Sequence, residues 1–214
     1  MGGRKVEEDN CHFVPNAFVG NFKVEQHFYN NGGERKQSPN TLHYFGSEDK
    51  TLVYGTDKEG KAENMRILTD LRGKYTYPLS THSKGHRSAL KLRKKNITMK
   101  EGKDGQQPEV TVTSETRTVL GHMFVKTSIK DEHGTVTCWV AEDVPAPFGD
   151  MMRSMLPSGN LEKMKGFALG SEFVDAHGKN RSTNTVKELE LGPVDAAIFS
   201  LGVYEIQELP SFGQ

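Results

Sequence analysis

The shortages in this sequence are informative. Cysteine occurs twice in 214 residues, tryptophan once, and aromatic residues make up 8%. Neither Cys11 nor Cys138 belongs to a C-x-x-C pair, which excludes zinc-finger and thioredoxin-type chemistry. A disulfide between them would need an oxidising compartment and Cα atoms within bonding reach. The alternative is a buried free thiol at Cys138 and a loose one at Cys11. Charge of one sign is also missing: 28 Lys and Arg balance 28 Asp and Glu. That argues against a nucleic-acid binder built on bulk positive charge, although not against a local basic patch. No apolar run approaches the roughly 20 residues of a membrane helix. The best stretch, Ala196 to Tyr204, is short and contains Ser200 and Gly202. The first ten residues hold no apolar segment of the kind an export signal needs, and Val6 stands where N-myristoylation requires Ser or Thr. The expectation is a soluble chain, with residues 1–13 a flexible N-terminal segment and residues 14–214 a single β-rich domain.

What the sequence does contain is alternation. In residues 18–29, Phe18, Gly20, Phe22, Val24, Gln26 and Phe28 fall on one side of a strand, and Asn21, Lys23, Glu25 and His27 on the other. Asn30-Asn31-Gly32-Gly33 ends the run with residues that tolerate positive φ. Short strands are predicted around Leu42–Phe45, Leu52–Tyr54, Met65–Thr69, Tyr75–Leu79, Arg87–Arg93 and Val110–Val112. A hairpin is predicted over His122–Val140, turning at Asp131–Gly134. Another joins Phe173–Asp175 to Thr185–Leu191, and Val203–Leu209 is expected to close the sheet. Twenty-two Gly and nine Pro suit the many turns this requires.

One segment breaks the period of two. Phe148, Met151, Met152, Met155 and Leu156 stand at i, i+3, i+4, i+7 and i+8, an apolar helical stripe between Pro147 and Pro157. A second short helical piece begins near Asn160. The predicted fold class is mainly β, a β-rich α+β arrangement: a large curved antiparallel sheet or half-barrel covered by one or two short helices.

Catalytic and metal motifs are weak. Gly55 to Lys61 has phosphate-loop spacing, but Ala62 follows without a hydroxyl, and Asp57 and Glu59 would repel phosphate, so a hairpin loop is expected. His82 and His86 are four apart across Gly85, in a loop where helical geometry lapses. There is no H-E-x-x-H and no G-x-S-x-G. Asp131, Glu132, Glu188 and Glu190 read as solvated surface. No catalytic residue, metal or cofactor is assigned. The basic stretch Lys84, Arg87, Lys91, Arg93, Lys94 and Lys95 could meet anionic headgroups or an acidic partner, or be one solvated strand face with Lys protecting an edge.

The ordered series Glu115–His122, Phe124–Ile129, Gly134–Val140 and Pro147-Phe148-Gly149 resembles a family of bacterial cell-envelope proteins carrying the domain of unknown function numbered 4412. Phe18–Phe22, Asp70-Leu71, Thr185–Leu189 and Leu209-Pro210 extend the likeness over roughly residues 14–210. The resemblance implies the LolA-like, lipoprotein-carrier superfamily, in which a curved sheet wraps helices around an apolar cavity. It also implies a periplasmic or cell-envelope location; family members usually begin with an export signal, and none is expected within the first ten residues.

The favoured expectation is therefore a non-catalytic binder of a lipid or another hydrophobic ligand, held between the sheet and the Met-rich helix. Phe22, Val24, Phe28, Trp139, Met151, Met155 and Leu156 are the expected lining residues. The alternative is a structural or protein-interaction module with a filled core, meeting an envelope protein partner through an edge strand or the basic stretch.

Overall fold

The computed structural model describes residues 4–8, 11–36, 38–82, 84–99, 109–146 and 166–208. The strands are β1 (Arg4–Glu8), β2 (Gly20–Asn30), β3 (Gly33–Glu34), β4 (Asn40–Gly46), β5 (Lys50–Thr56), β6 (Ala62–Asp70), β7 (Tyr75–Thr81) and β8 (Arg87–Arg93). They continue with β9 (Lys95–Met99), β10 (Glu109–Val119), β11 (His122–Asp131), β12 (Gly134–Ala141), β13 (Phe167–Asp175), β14 (Asn180–Leu191) and β15 (Glu205–Glu208). Among the described residues, thirteen strands form one sheet in the order β10-β11-β12-β13-β14-β2-β4-β5-β6-β7-β8-β15, with β3 beside β2. Strands β1 and β9 pair separately.

The chain is thus mainly β, built on one large, open, curved sheet, as the alternating pattern predicts. All but one of its pairings are antiparallel; β15 runs parallel to β8. The last strand joins an edge and does not close the sheet. The helix expected over 147–157 and the piece from Asn160 lie outside the described residues, and Met151, Met155 and Leu156 lie there with them. The helical element described is a short 3-10 turn, Ala196–Phe199, whose Asp195 side chain accepts the Ala197 amide hydrogen.

Local chemistry explains the hairpins. Asp131 turns β11 into β12 by accepting the amide hydrogens of His133 at 2.8 Å and Gly134 at 3.1 Å. Gly134 has φ +153°, and a Cβ there would sit 2.2 Å from the Val174 carbonyl oxygen of β13, so the close approach of β12 to β13 requires glycine. The Gly55–Lys61 segment is the β5–β6 loop, and Asp57 accepts the amide hydrogens of Glu59 and Lys61. A carboxylate occupies the place a phosphate would need.

Two cores sit on opposite faces of the sheet. The first gathers Phe18, Phe22, Val24, Tyr44, Phe124, Val144, Phe167, Leu169 and Val186. Its centre is aromatic: Phe22 stacks on Tyr44 at 4.7 Å and meets Phe167 edge-on at 5.1 Å. Buried Asn16 seals one end, donating to the Phe18 carbonyl and the Tyr44 hydroxyl. The second core gathers Leu52, Leu68, Tyr77, Leu79, Ala89 and Phe199, with Val194, Leu201 and Tyr204 packed against it. Tyr44 and Phe45 are consecutive in β4 and belong to different cores, which places those cores on opposite faces.

Candidate binding face

Directly opposed residues of neighbouring strands point to the same face, so the register can be read as rows crossing the sheet. One row runs Val110, Ile129, Val136, Phe173, Ser182, Phe28. The next on the same face runs Thr127, Cys138, Ser171, Asn184, Gln26, Asn40. Then come Val186, Val24, Leu42, and finally Leu189, Phe22, Tyr44, Val53, Ile67, Pro78. This face is mainly apolar apart from its second row and Ser182 in the first. It is also unevenly covered. Phe22, Val24, Ile129 and Val136 are buried, whereas Phe28, Phe173, Leu42 and Val53 are half-buried and Ile67 is 43% exposed.

The backbone holds Phe28 firmly. Its amide donates to Ser38 Oγ at 3.1 Å, and its carbonyl accepts from the Arg35 amide at 2.8 Å. Arg35 and Ser38 are thereby held against the end of the strand.

Of the residues expected to line a site, Phe22 and Val24 lie in the first core, and Phe28 lies in the outermost row of the same face. Trp139 is partly buried against the margin of the first core. Its register partners are Lys126 and Gly170, on the alternate side of β12 from Cys138. The Arg117 guanidinium lies 4.2 Å from the centroid of its ring. Sequence reading missed Phe173, Asn184, Ser171 and Ile67. Asn184 and Ser182 were readable in principle, because they alternate in step with Val186.

The other face carries the charge between β14 and β4. Lys23 pairs with Glu188 at 2.7 Å, and Lys187 with Glu25 at 2.7 Å. His27 bonds Glu34 at 2.6 Å and Glu25 at 3.2 Å, and these carboxylates raise its pKa above the ordinary imidazole value. His43 stacks on Tyr54 at 4.6 Å and behaves oppositely: burial, then the Lys23 charge, lowers its pKa. Arg66 lies over the Tyr54 ring at 4.9 Å.

Part of the basic stretch is answered from within the chain. Lys91 bonds Glu208 at 2.7 Å and lies over the Tyr75 ring, and His86 pairs with Glu205 at 3.3 Å. Cys11 is exposed and Cys138 buried, and burial pushes the Cys138 thiol up to about 12. Among the described residues, no three His, Cys, Asp or Glu side chains converge as a metal site requires, and no helix is long and apolar enough to cross a membrane.

No known family profile and no curated protein matches the chain. Solved structures do. A crystal structure of PNGF-II is 15% identical over 90% of this chain, with a TM-score of 0.42, and the match spans only 31% of that protein. An uncharacterised conserved protein from Thermus thermophilus is 8% identical, with 90% and 93% of the two chains covered and a TM-score of 0.48. The Pseudomonas aeruginosa MucA/MucB complex is 10% identical, with 87% of this chain and 57% of that chain covered and a TM-score of 0.48. A candidate outer membrane lipoprotein-sorting protein domain from Vibrio parahaemolyticus is 8% identical, with 86% and 89% covered and a TM-score of 0.31. These scores describe a shared β-sheet theme and carry no argument about ligand or partner.

Proposed function

We propose that the protein is a non-catalytic binder of a lipid or another apolar chain, which lies on the face carrying Phe22, Val24 and Phe28. The observation that supports this is the uneven cover of that face: Phe28, Phe173, Leu42, Val53 and Ile67 are apolar, share the face, and keep part of their surface exposed. The titratable groups of β2 and β14 are paired on the opposite face, so the apolar face offers burial in place of acid–base chemistry. Removing a chain from water there is worth about 0.8 kcal/mol per CH₂. Met151, Met155 and Leu156 complete the proposed lining; Trp139, on the alternate side of β12, borders it at the margin of the first core. A LolA-like architecture, membership of the domain-of-unknown-function 4412 family, a periplasmic or envelope location and a single domain over residues 14–214 belong to the same proposal.

The test is native mass spectrometry on protein purified without detergent. Co-purified lipid is the expected result. A bare mass, together with no displacement of a fluorescent fatty acid, would reject the reading.

A second reading, a protein-interaction module, is favoured by one observation. Among the described residues β10 is a free sheet edge, and its Val112 is 66% exposed. Under that reading Val112→Lys would weaken capture of an envelope partner and leave lipid content unchanged.

A further inference from the structure

One row of the binding face is polar. Gln26 Nε2 donates to Asn184 Oδ1 at 2.9 Å, and Asn184 Nδ2 donates to Ser171 Oγ at 3.0 Å. The three residues sit directly opposite one another on β2, β14 and β13, a span of about 10 Å at ordinary strand spacing. On each side, about 7 Å along the strands, the next row is mainly apolar: Phe28 and Phe173 flanking Ser182 on one side, Val24 and Val186 on the other.

Uncharged amides on an apolar face cost free energy unless their hydrogen bonds are made. Asparagine is also among the residues strands disfavour, yet Asn184 sits in the middle of β14. Local rules broken in this way concentrate where a site is built. The row's own bonds use only part of its capacity. Each carboxamide has two N–H donors and two lone pairs, and a hydroxyl has one donor. Among the described residues, the Gln26 carbonyl oxygen, the second N–H of each amide and the Ser171 hydroxyl proton have no side-chain partner. All three side chains are half-buried and therefore reachable. The full row, Thr127 to Asn40, holds no Asp, Glu, Lys, Arg or His. It therefore presents both donors and an acceptor without charge.

We propose that Gln26, Asn184 and Ser171 bind the neutral polar linkage of an amphiphile, an ester or amide carbonyl with an adjoining hydroxyl, while its alkyl chain lies over the flanking apolar rows. This rests on the reading of the face as an apolar-chain site and names the class of ligand it takes. The amides already restrained by their mutual bonds would donate to the linkage carbonyl, and the Gln26 oxygen would accept from the hydroxyl. A carboxylate would leave that oxygen facing a like partial charge with no cation in the row to offset it.

Isothermal titration of the full chain with 1-monodecanoylglycerol and with decanoate tests this. The wild type should bind the monoglyceride at least tenfold more tightly. Asn184→Leu, and independently Gln26→Leu in case the first fails to fold, should bring the two probes within twofold while decanoate affinity changes little. Equal affinity of the wild type for both probes, or an undiminished preference in both variants, overturns the assignment of the row and leaves the apolar-face reading standing. Failure of both probes to bind overturns both readings, and failure of the monoglyceride alone overturns the assignment of the row.

Discussion

Phe22 and Phe28 lie in the same strand and point to the same face, but the structure gives them different work, and this can be measured. Phe22 is 2% exposed and has aromatic neighbours on three sides: Phe18 at 5.4 Å, Tyr44 at 4.7 Å and Phe167 at 5.1 Å. Phe22→Ala should cost about 4 kcal/mol, within the usual range for a buried Phe. In a domain of this size that lowers the melting temperature by about 8–16 °C. Phe28 is half-buried, flanked across the strands by Ser182, with its backbone amide bonded to Ser38 Oγ. Phe28→Ala should cost roughly half as much, about 2 kcal/mol, because part of the ring is already in water. It should instead weaken a bound decyl chain by about tenfold, the equivalent of about 1.4 kcal/mol of lost apolar contact. Urea unfolding followed by far-ultraviolet circular dichroism gives the stabilities, and titration with monodecanoylglycerol gives the affinities. If Phe28→Ala destabilises as much as Phe22→Ala and leaves affinity untouched, Phe28 is ordinary core and the face is filled.

Three further outcomes are expected. Because Glu34 first, and Glu25 next, raise the His27 pKa, that contact adds stability below about pH 6.5 and loses it as pH climbs through the higher folded value; Glu34→Gln should flatten this fall in urea midpoints recorded from pH 5.5 upward. A thiol reagent at pH 8 should label native protein rapidly at exposed Cys11 and reach buried Cys138 only after denaturant is added, whereas two fast thiols would refute the burial. Gly134→Ala should destabilise by about 2 kcal/mol or more, since its Cβ meets the Val174 carbonyl at 2.2 Å; a neutral change in melting temperature would show that β12 and β13 can separate there.

The parts of the fold that were legible in sequence are those where one face is wet. β2 alternates cleanly because Lys23, Glu25 and His27 form ion pairs opposite Phe22, Val24 and Phe28. The β11–β12 hairpin was legible because Asp131 and Gly134 mark its turn. The first half of β13 and the second half of β10 were not. A bulge lies between Trp139 and Val140 where β12 meets β13, and another between Val112 and Thr116 where β10 meets β11, and each shifts the period of two. β15 was visible as a strand, but its parallel partner was not, since register with a distant strand leaves no local mark. At the site, Gln26 stood out as the polar residue in an apolar series, while Asn184 and Ser171 become its neighbours only through pairings 158 and 13 residues apart in sequence.

The switch of cores from one face to the other explains why β4 and β5 read so differently from β2. Where the first core gives way to the second, a strand must be apolar on both sides. β4 sends Leu42 and Tyr44 to one core and Phe45 to the other; β5 sends Val53 to one and Leu52 and Tyr54 to the other. Continuous runs such as Leu-Val-Tyr at 52–54 are the consequence. Beyond that crossing, residues 194–204 cover the second face of β5–β8, while the first face continues outward through Val53 to Ile67, which is 43% exposed. An apolar row that runs out of the first core and into solvent is what an extended hydrophobic ligand can use. In the proposed function, the separate polar row of Gln26, Asn184 and Ser171 on the same face would give that ligand a place to stop.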